Sequence, residues 1–128
     1  KTHCYSDKSK IKEILACQNG NAGFGDAVDK LLIVTADAKA FTKYESNQIF
    51  IDGGLFSMNL LLAIHSAGLG ACPLNTCYPY FVEKKVKKLS FIPDSERLIM
   101  MIAVGCLKDN YVVAYSSRNP TDEIFIWH

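Results

Sequence analysis

With 128 residues, 49% of them hydrophobic and 21% charged, the chain has the size and composition of one ordinary globular domain rather than a disordered segment. Lys and Arg total 14 and Asp and Glu 13, so the formal charge of +1 gives no support to electrostatic binding of nucleic acid. The five cysteines, Cys4, Cys17, Cys72, Cys77 and Cys106, are odd in number and scattered. They read as buried free thiols in a reducing, cytoplasmic setting rather than as a disulfide framework.

The chain opens on Lys, and no apolar stretch of the kind a signal peptide needs lies between Lys1 and Lys12. It reads as a piece of a longer protein. Ser6-Asp7 offers an N-cap, and Ile11, Ile14 and Leu15 recur at helical spacing, which predicts a helix over about residues 7–18. Residues 19–26, with three glycines and two asparagines, form a loop. The run Leu31 to Thr35 is apolar or β-branched throughout, as in a strand covered on both faces.

The longest predicted element spans about Ser46 to Ala67 and ends at Gly68. Its second half is apolar nearly all round, which predicts a buried central helix rather than a membrane span: the dense run Leu60 to Ile64 is short and flanked by Asn59 and His65. Adjacent Gly53 and Gly54 inside it point to close packing against a backbone, or to a cofactor or partner on that face. Residues 68–80 read as a loop. Pro79 then opens an amphipathic helix to about Leu89, with Phe81, Val82, Val86 and Leu89 inward and Glu83, Lys84, Lys85, Lys87 and Lys88 outward. Leu98 to Cys106 is a second buried strand, and Tyr111 to Tyr115 a short third one. The tail from Ser116 carries an apolar cluster, Ile124 to Trp127, expected to dock on the body or on another chain.

No side-chain constellation stands out as catalytic. Cys72 and Cys77 are spaced C-x4-C without a histidine or second pair at zinc spacing, so no metal site is read there. His65 sits among apolar residues as a core or interface histidine, and Met58, Met100 and Met101 as core. The glycine-rich loop precedes its strand and lacks the Gly-Lys-Ser/Thr ending of a phosphate loop. Arg118, beside Ser116 and Ser117, offers a guanidinium and hydroxyls suited to phosphate.

An ordered set of pieces resembles the flavin-dependent nitroreductase family. Asp52-Gly53-Gly54 enters a long helix with Asn59-Leu60-Leu61-Leu62-Ala63; Ser66 to Pro73 follows, then a helix, then the strand Ile99 to Val104 ending in Gly105, then Ser117-Arg118-Asn119-Pro120. The resemblance covers nearly the whole chain. It implies an α+β fold, a mixed β-sheet flanked by helices, with residues 1–128 as a single domain. That domain corresponds to the C-terminal two-thirds of the family fold. Family members begin with an Arg-Arg-Ser-type helix and a segment leading into the first strand; neither is present, and the chain is expected to start just after that strand.

The resemblance further implies a homodimer formed through the helix from Ile49 to Ala67, with FMN at the dimer interface and NAD(P)H as electron donor. Pro73, Leu74, Asn75 and Thr76 would lie along the flavin ring, and Ser116 and Arg118 would reach its phosphate. The implied reaction is ping-pong hydride transfer to a nitroaromatic, quinone or similar small acceptor, with no side-chain acid or base and no metal, nucleic acid or membrane partner. The alternative is a truncated or degenerate, non-catalytic dimerisation module. A thiol enzyme using Cys72 or Cys77 is a weaker one.

Overall fold

The computed structural model describes residues 1–112 and 115–128. Within them the chain runs β1 (Thr2–Tyr5), α1 (Lys8–Leu15), β2 (Lys30–Asp37), α2 (Gln48–Ser66), β3 (Leu69–Leu74), α3 (Tyr80–Ser90), β4 (Glu96–Cys106) and α4 (Thr121–Ile124). The strands form one sheet in the order β1-β2-β4-β3, every pairing antiparallel. The two continuous apolar runs, β2 and β4, take the centre because only there are both faces covered. Leu31, Ile33, Met101 and Ala103 meet α1 and α3 on one side. Leu32, Val34, Ile102 and Val104 meet α2 on the other. The chain is therefore an α+β sheet flanked by helices, in three layers.

Local chemistry sets the helix ends. Asp7 caps α1 by accepting from the Lys10 N–H at 2.8 Å, and the helix buries Ile11, Ile14 and Leu15 as the spacing requires. A register shift between Val34 and Thr35 opens a bulge in β4. Ile99 and Met100, adjacent in sequence, consequently both pack on the α2 side, while Leu98 and Met101 pack on the other.

Several expectations are corrected. Residues 69–74 are not loop but the edge strand β3, paired to β4 from Leu69↔Cys106 to Leu74↔Met101. Pro73 is tolerated because an edge strand has a side with no ladder donor to lose. Residues Thr2–Tyr5, for which no strand was expected, form β1 and pair antiparallel with β2. The long helix is not wrapped all round; it buries Ile49, Gly53, Ser57 and Ile64 and exposes Phe50, Leu55, Met58 and Leu62. By length and composition alone α2 could cross a membrane, but here it lies along the sheet.

On α3, Phe81 faces solvent and Lys87 is buried, bonded to Glu83 at 2.9 Å, because the rotation that seats Val86 also turns Lys87 inward. His65 is exposed, as are Cys4, Cys72, Cys77 and Cys106; all five thiols are free. The predicted strand Tyr111–Tyr115 includes residues 113 and 114, which lie outside the described residues. The tail's apolar cluster stays exposed on this chain, Trp127 at 87%.

One polar knot holds the sheet's edge. Glu96, at the start of β4, is 1% exposed and accepts from Lys1 Nζ at 2.6 Å and Thr35 Oγ1 at 2.6 Å, with His3 Nε2 at 2.8 Å. Burial alone would raise this carboxyl, but the bonds from Lys1, Thr35 and His3 outweigh it and hold it at about 2. Because the folded value lies below the ordinary 4.5, the stabilisation is complete above that pH and is lost as pH falls through about 2. It amounts to about 3 kcal/mol. Urea unfolding of Glu96→Gln at neutral pH should show a loss of about 2 kcal/mol. The acid-induced decline of the native protein should be flattened in the variant. An unchanged acid limb would show that Glu96 does not couple folding to protonation.

Candidate functional site

Five segments converge at the start of β4 around a cleft of about 780 Å³, α3 among them through Glu83. The turn after β2 supplies Phe41, the first turn of α2 supplies Ile49 and Phe50, the segment after β3 supplies Asn75 and Thr76, and β4 supplies Arg97 to Met100. That volume lies within the range of roughly 300–1,000 Å³ typical of small-molecule sites, and the wall is apolar with a few polar groups.

The segment after β3 is fixed by its own side chains. Thr76 Oγ1 donates to the Ile99 carbonyl at 3.0 Å and lies 3.3 Å from that of Leu98. The Asn75 side chain accepts from the Cys77 N–H at 3.1 Å, an Asx turn. The Asn75 carbonyl accepts from the buried Gln18 at 3.2 Å. Among the described residues the backbone N–H groups of Asn75 and Thr76 have no protein acceptor. Half-buried Tyr78 donates to Met101 Sδ at 3.7 Å, and burial pushes its hydroxyl up to about 12, so it stays protonated at neutral pH.

Of the residues read from sequence, Asn75 and Thr76 line this cleft. Leu74 does not: its side chain is buried in the core shared with α1 and α3, so it can offer a ligand only backbone. Pro73 is exposed on the edge strand. Ser116 and Arg118 lie on the exposed tail, hydrogen-bonded to each other at 3.0 Å, and are not among the cleft-lining residues. Phe41, Phe50, Tyr78 and Arg97 were not singled out from sequence. Arg97 carried the clearest signal, as one of only two arginines and the last charge before a long apolar run.

The two helical glycines part company. A Cβ on Gly53 would meet Ile99 Cγ2 at 2.7 Å and Cγ1 at 2.8 Å, whereas one on Gly54 would meet nothing within 4 Å. Gly53 is the close-packing glycine expected from sequence, and its neighbour is a side chain raised by the bulge rather than a backbone. Ser57, fully buried one turn on, donates to the Gly53 carbonyl at 2.7 Å. The glycine-rich loop borders a separate hollow of about 480 Å³, where Lys12 pairs with Asp26 at 3.2 Å. Among the described residues no group of three or more His, Cys, Asp or Glu is placed to hold a metal ion.

The model of the nitroreductase family matches residues 5–106. Among solved structures, ydfN of Bacillus subtilis superposes at a TM-score of 0.81 and 18% identity, over 100% of this chain and 77% of that one. An FMN-dependent nitroreductase of Clostridium difficile superposes at 0.76 and 17% identity, over 99% of this chain and 73% of that one. A nitroreductase family protein of Streptococcus pneumoniae superposes at 0.76 and 18%, over 100% and 78%. Such identities show a common fold. No curated protein matches the chain.

Gly53→Ala should lower stability by about 1–2 kcal/mol despite alanine's better helix propensity, because Ile99 or the helix must move. Adding Ile99→Ala should recover part of that loss through a non-additive coupling measurable in a urea double-mutant cycle. Simple additivity would mean that the two residues are not in strained contact.

Proposed function

The chain belongs to the nitroreductase family, and on that premise we propose that it is an FMN-dependent oxidoreductase that takes electrons from NAD(P)H and passes them to a nitroaromatic, quinone or similar electron-poor acceptor. The observation that carries this reading is the pair of unpartnered backbone N–H groups at Asn75 and Thr76 beside the apolar cleft. Donors fixed before a ligand arrives are what a ring that gains negative charge on reduction requires. The cleft's size and its apolar wall fit a flat aromatic cofactor.

FMN, when bound, supplies the hydride acceptance and release that no side chain here can perform. The protein's part is positioning and exclusion. The Thr76 hydroxyl, tied to β4, and the Asn75 carbonyl, tied to Gln18, hold the segment rigid so that its N–H groups need no reorganisation. Phe50 and Ile49 limit water on the α2 side. Ser116 and Arg118 are the residues we assign to the phosphate, and they would reach it from the tail of a second subunit or after the tail folds onto the body.

A homodimer is part of this proposal. Phe50, Ile51, Leu55, Phe56, Met58 and Leu62 on α2 are each about half exposed or more, and so are Ile124 to Trp127 on the tail. A patch of that extent is a partner surface rather than scattered exposure. Gly54 faces open space on the same helix and would admit a close neighbour. The domain assignment of residues 1–128 as one unit belongs to the same reading.

Titration of the purified chain with FMN should give saturable, near-stoichiometric binding, followed by quenching of flavin fluorescence and by visible absorbance. Thr76→Val, which removes the anchor to Ile99 while keeping the shape, should weaken it about tenfold. A chain that binds no FMN would favour the non-catalytic dimerisation module instead. Light scattering after gel filtration should give twice the chain mass, and Leu55→Asp with Leu62→Asp should give the monomer mass by placing two charges in the apolar contact. A native protein that is monomeric throughout would remove the dimer from the proposal.

A further inference from the structure

We propose that Arg97 makes the cleft selective for small aromatic compounds that carry a carboxylate. This rests on the reading above, and it names which members of the electron-poor acceptor class the cleft prefers.

The charges around the cleft are unevenly committed. Lys87 is buried and bonds the Glu83 carboxylate at 2.9 Å. Arg97 lies 3.8 Å from the same carboxylate, beyond hydrogen-bond reach, so Glu83 orients the guanidinium without occupying it. Among the described residues the Arg97 side chain makes no other ion pair or hydrogen bond. Glu45, which also lines the cleft, is occupied locally: its carboxylate accepts from the Thr42 N–H at 2.8 Å, a bond that lowers its proton affinity. Among the described residues that line the cleft, Arg97 is thus the one cation, held only by a long ion pair that leaves its hydrogen-bond donors open, and its planar fork matches a carboxylate in two parallel bonds.

The position of that cation defines the ligand. Arg97 is about half exposed, so it is hydrated yet partly shielded, a setting in which an ion pair is stronger than on open surface. Residues immediately along β4, Leu98 to Met100, are apolar, and Phe41 and Phe50 face them across the cleft. A ligand that satisfies both features has an aromatic ring among the apolar residues and an anion at one end, toward Arg97. A neutral aromatic would bury its ring equally well but leave the fork to water.

Ligand-detected NMR titrations with 4-nitrobenzoate and its neutral analogue 4-nitrobenzamide test this on the protein as it stands, with and without added FMN. The native chain should bind the acid at least about fivefold more tightly than the amide. Arg97→Gln should weaken the acid about tenfold and leave the amide within about twofold, while Arg97→Lys should retain roughly a third or more of the affinity for the acid. Circular dichroism should show both variants folded, since Arg97 is a strand residue with an exposed head. Equal binding of acid and amide by the native chain, or an equal loss of both in Arg97→Gln, would falsify the assignment. NADPH and NADH serve as a second pair: a preference for NADPH that vanishes in Arg97→Gln, with no difference between acid and amide, would transfer the anion site to the donor and overturn the proposal. Because the readout is ligand binding, absence of flavin uptake would count against the functional reading alone, whereas flavin uptake without acid selectivity would count against Arg97 alone.

Discussion

The approach of α2 to the sheet at Gly53 is the constraint on which the rest of the molecule depends. A bulge in β4 turns Ile99 toward α2 beside Met100, and only a residue without a Cβ leaves room for it. The helix therefore lies close at its N-terminal end, and Ser57 fastens the next turn by bonding the Gly53 carbonyl. Interiors are close-packed, so a contact of this kind fixes the height and the rotation of the helix together. Height shapes the cleft, which Ile49 and Phe50 line together with Ile99 and Met100. Rotation decides which side of α2 remains uncovered.

That uncovered side links architecture to function. A four-stranded sheet is too narrow to bury a nineteen-residue apolar helix on more than one face. The chain spends Gly53, Ser57 and Ile64 on its own core and leaves Phe50, Leu55, Met58 and Leu62 outward. Phe50 belongs to both regions, lining the cleft and contributing to the exposed face. A second subunit covering that face would also cover one side of the cleft. The proposed cofactor site and the proposed association surface would then be one feature seen from two sides.

The turn after β3 is held in place by polar side chains. Three side chains hold the backbone there: Thr76 bonds β4, Asn75 the Cys77 amide, and Gln18, from the segment after α1, the Asn75 carbonyl. What remains free is main-chain N–H, which carries no sequence signature. The charged groups nearby are also held, Glu83 by Lys87 at 2.9 Å and Glu45 by its own turn, while Arg97 keeps only a 3.8 Å ion pair to Glu83.

The sequence by itself determined the three long helices and the two central strands, because these rest on local chemistry: the Asp7 cap, the helical spacing of Ile11, Ile14 and Leu15, and the two apolar runs. It also singled out Asn75 and Thr76, which line the cleft, through an ordered resemblance rather than through their own chemistry. Tertiary structure decided what depends on neighbours. Residues 69–74 became a strand because β4 offered an unpaired edge, which no pattern of small residues and a proline announces. The face of α2 left bare, the inward turn of Lys87 and the exposure of four cysteines follow from how wide the sheet is and how the helices rotate on it. The cleft belongs to this second kind: its walls come from five segments of the chain, and what joins them is the packing of a glycine against one raised isoleucine, a fact about distance that composition and periodicity do not encode.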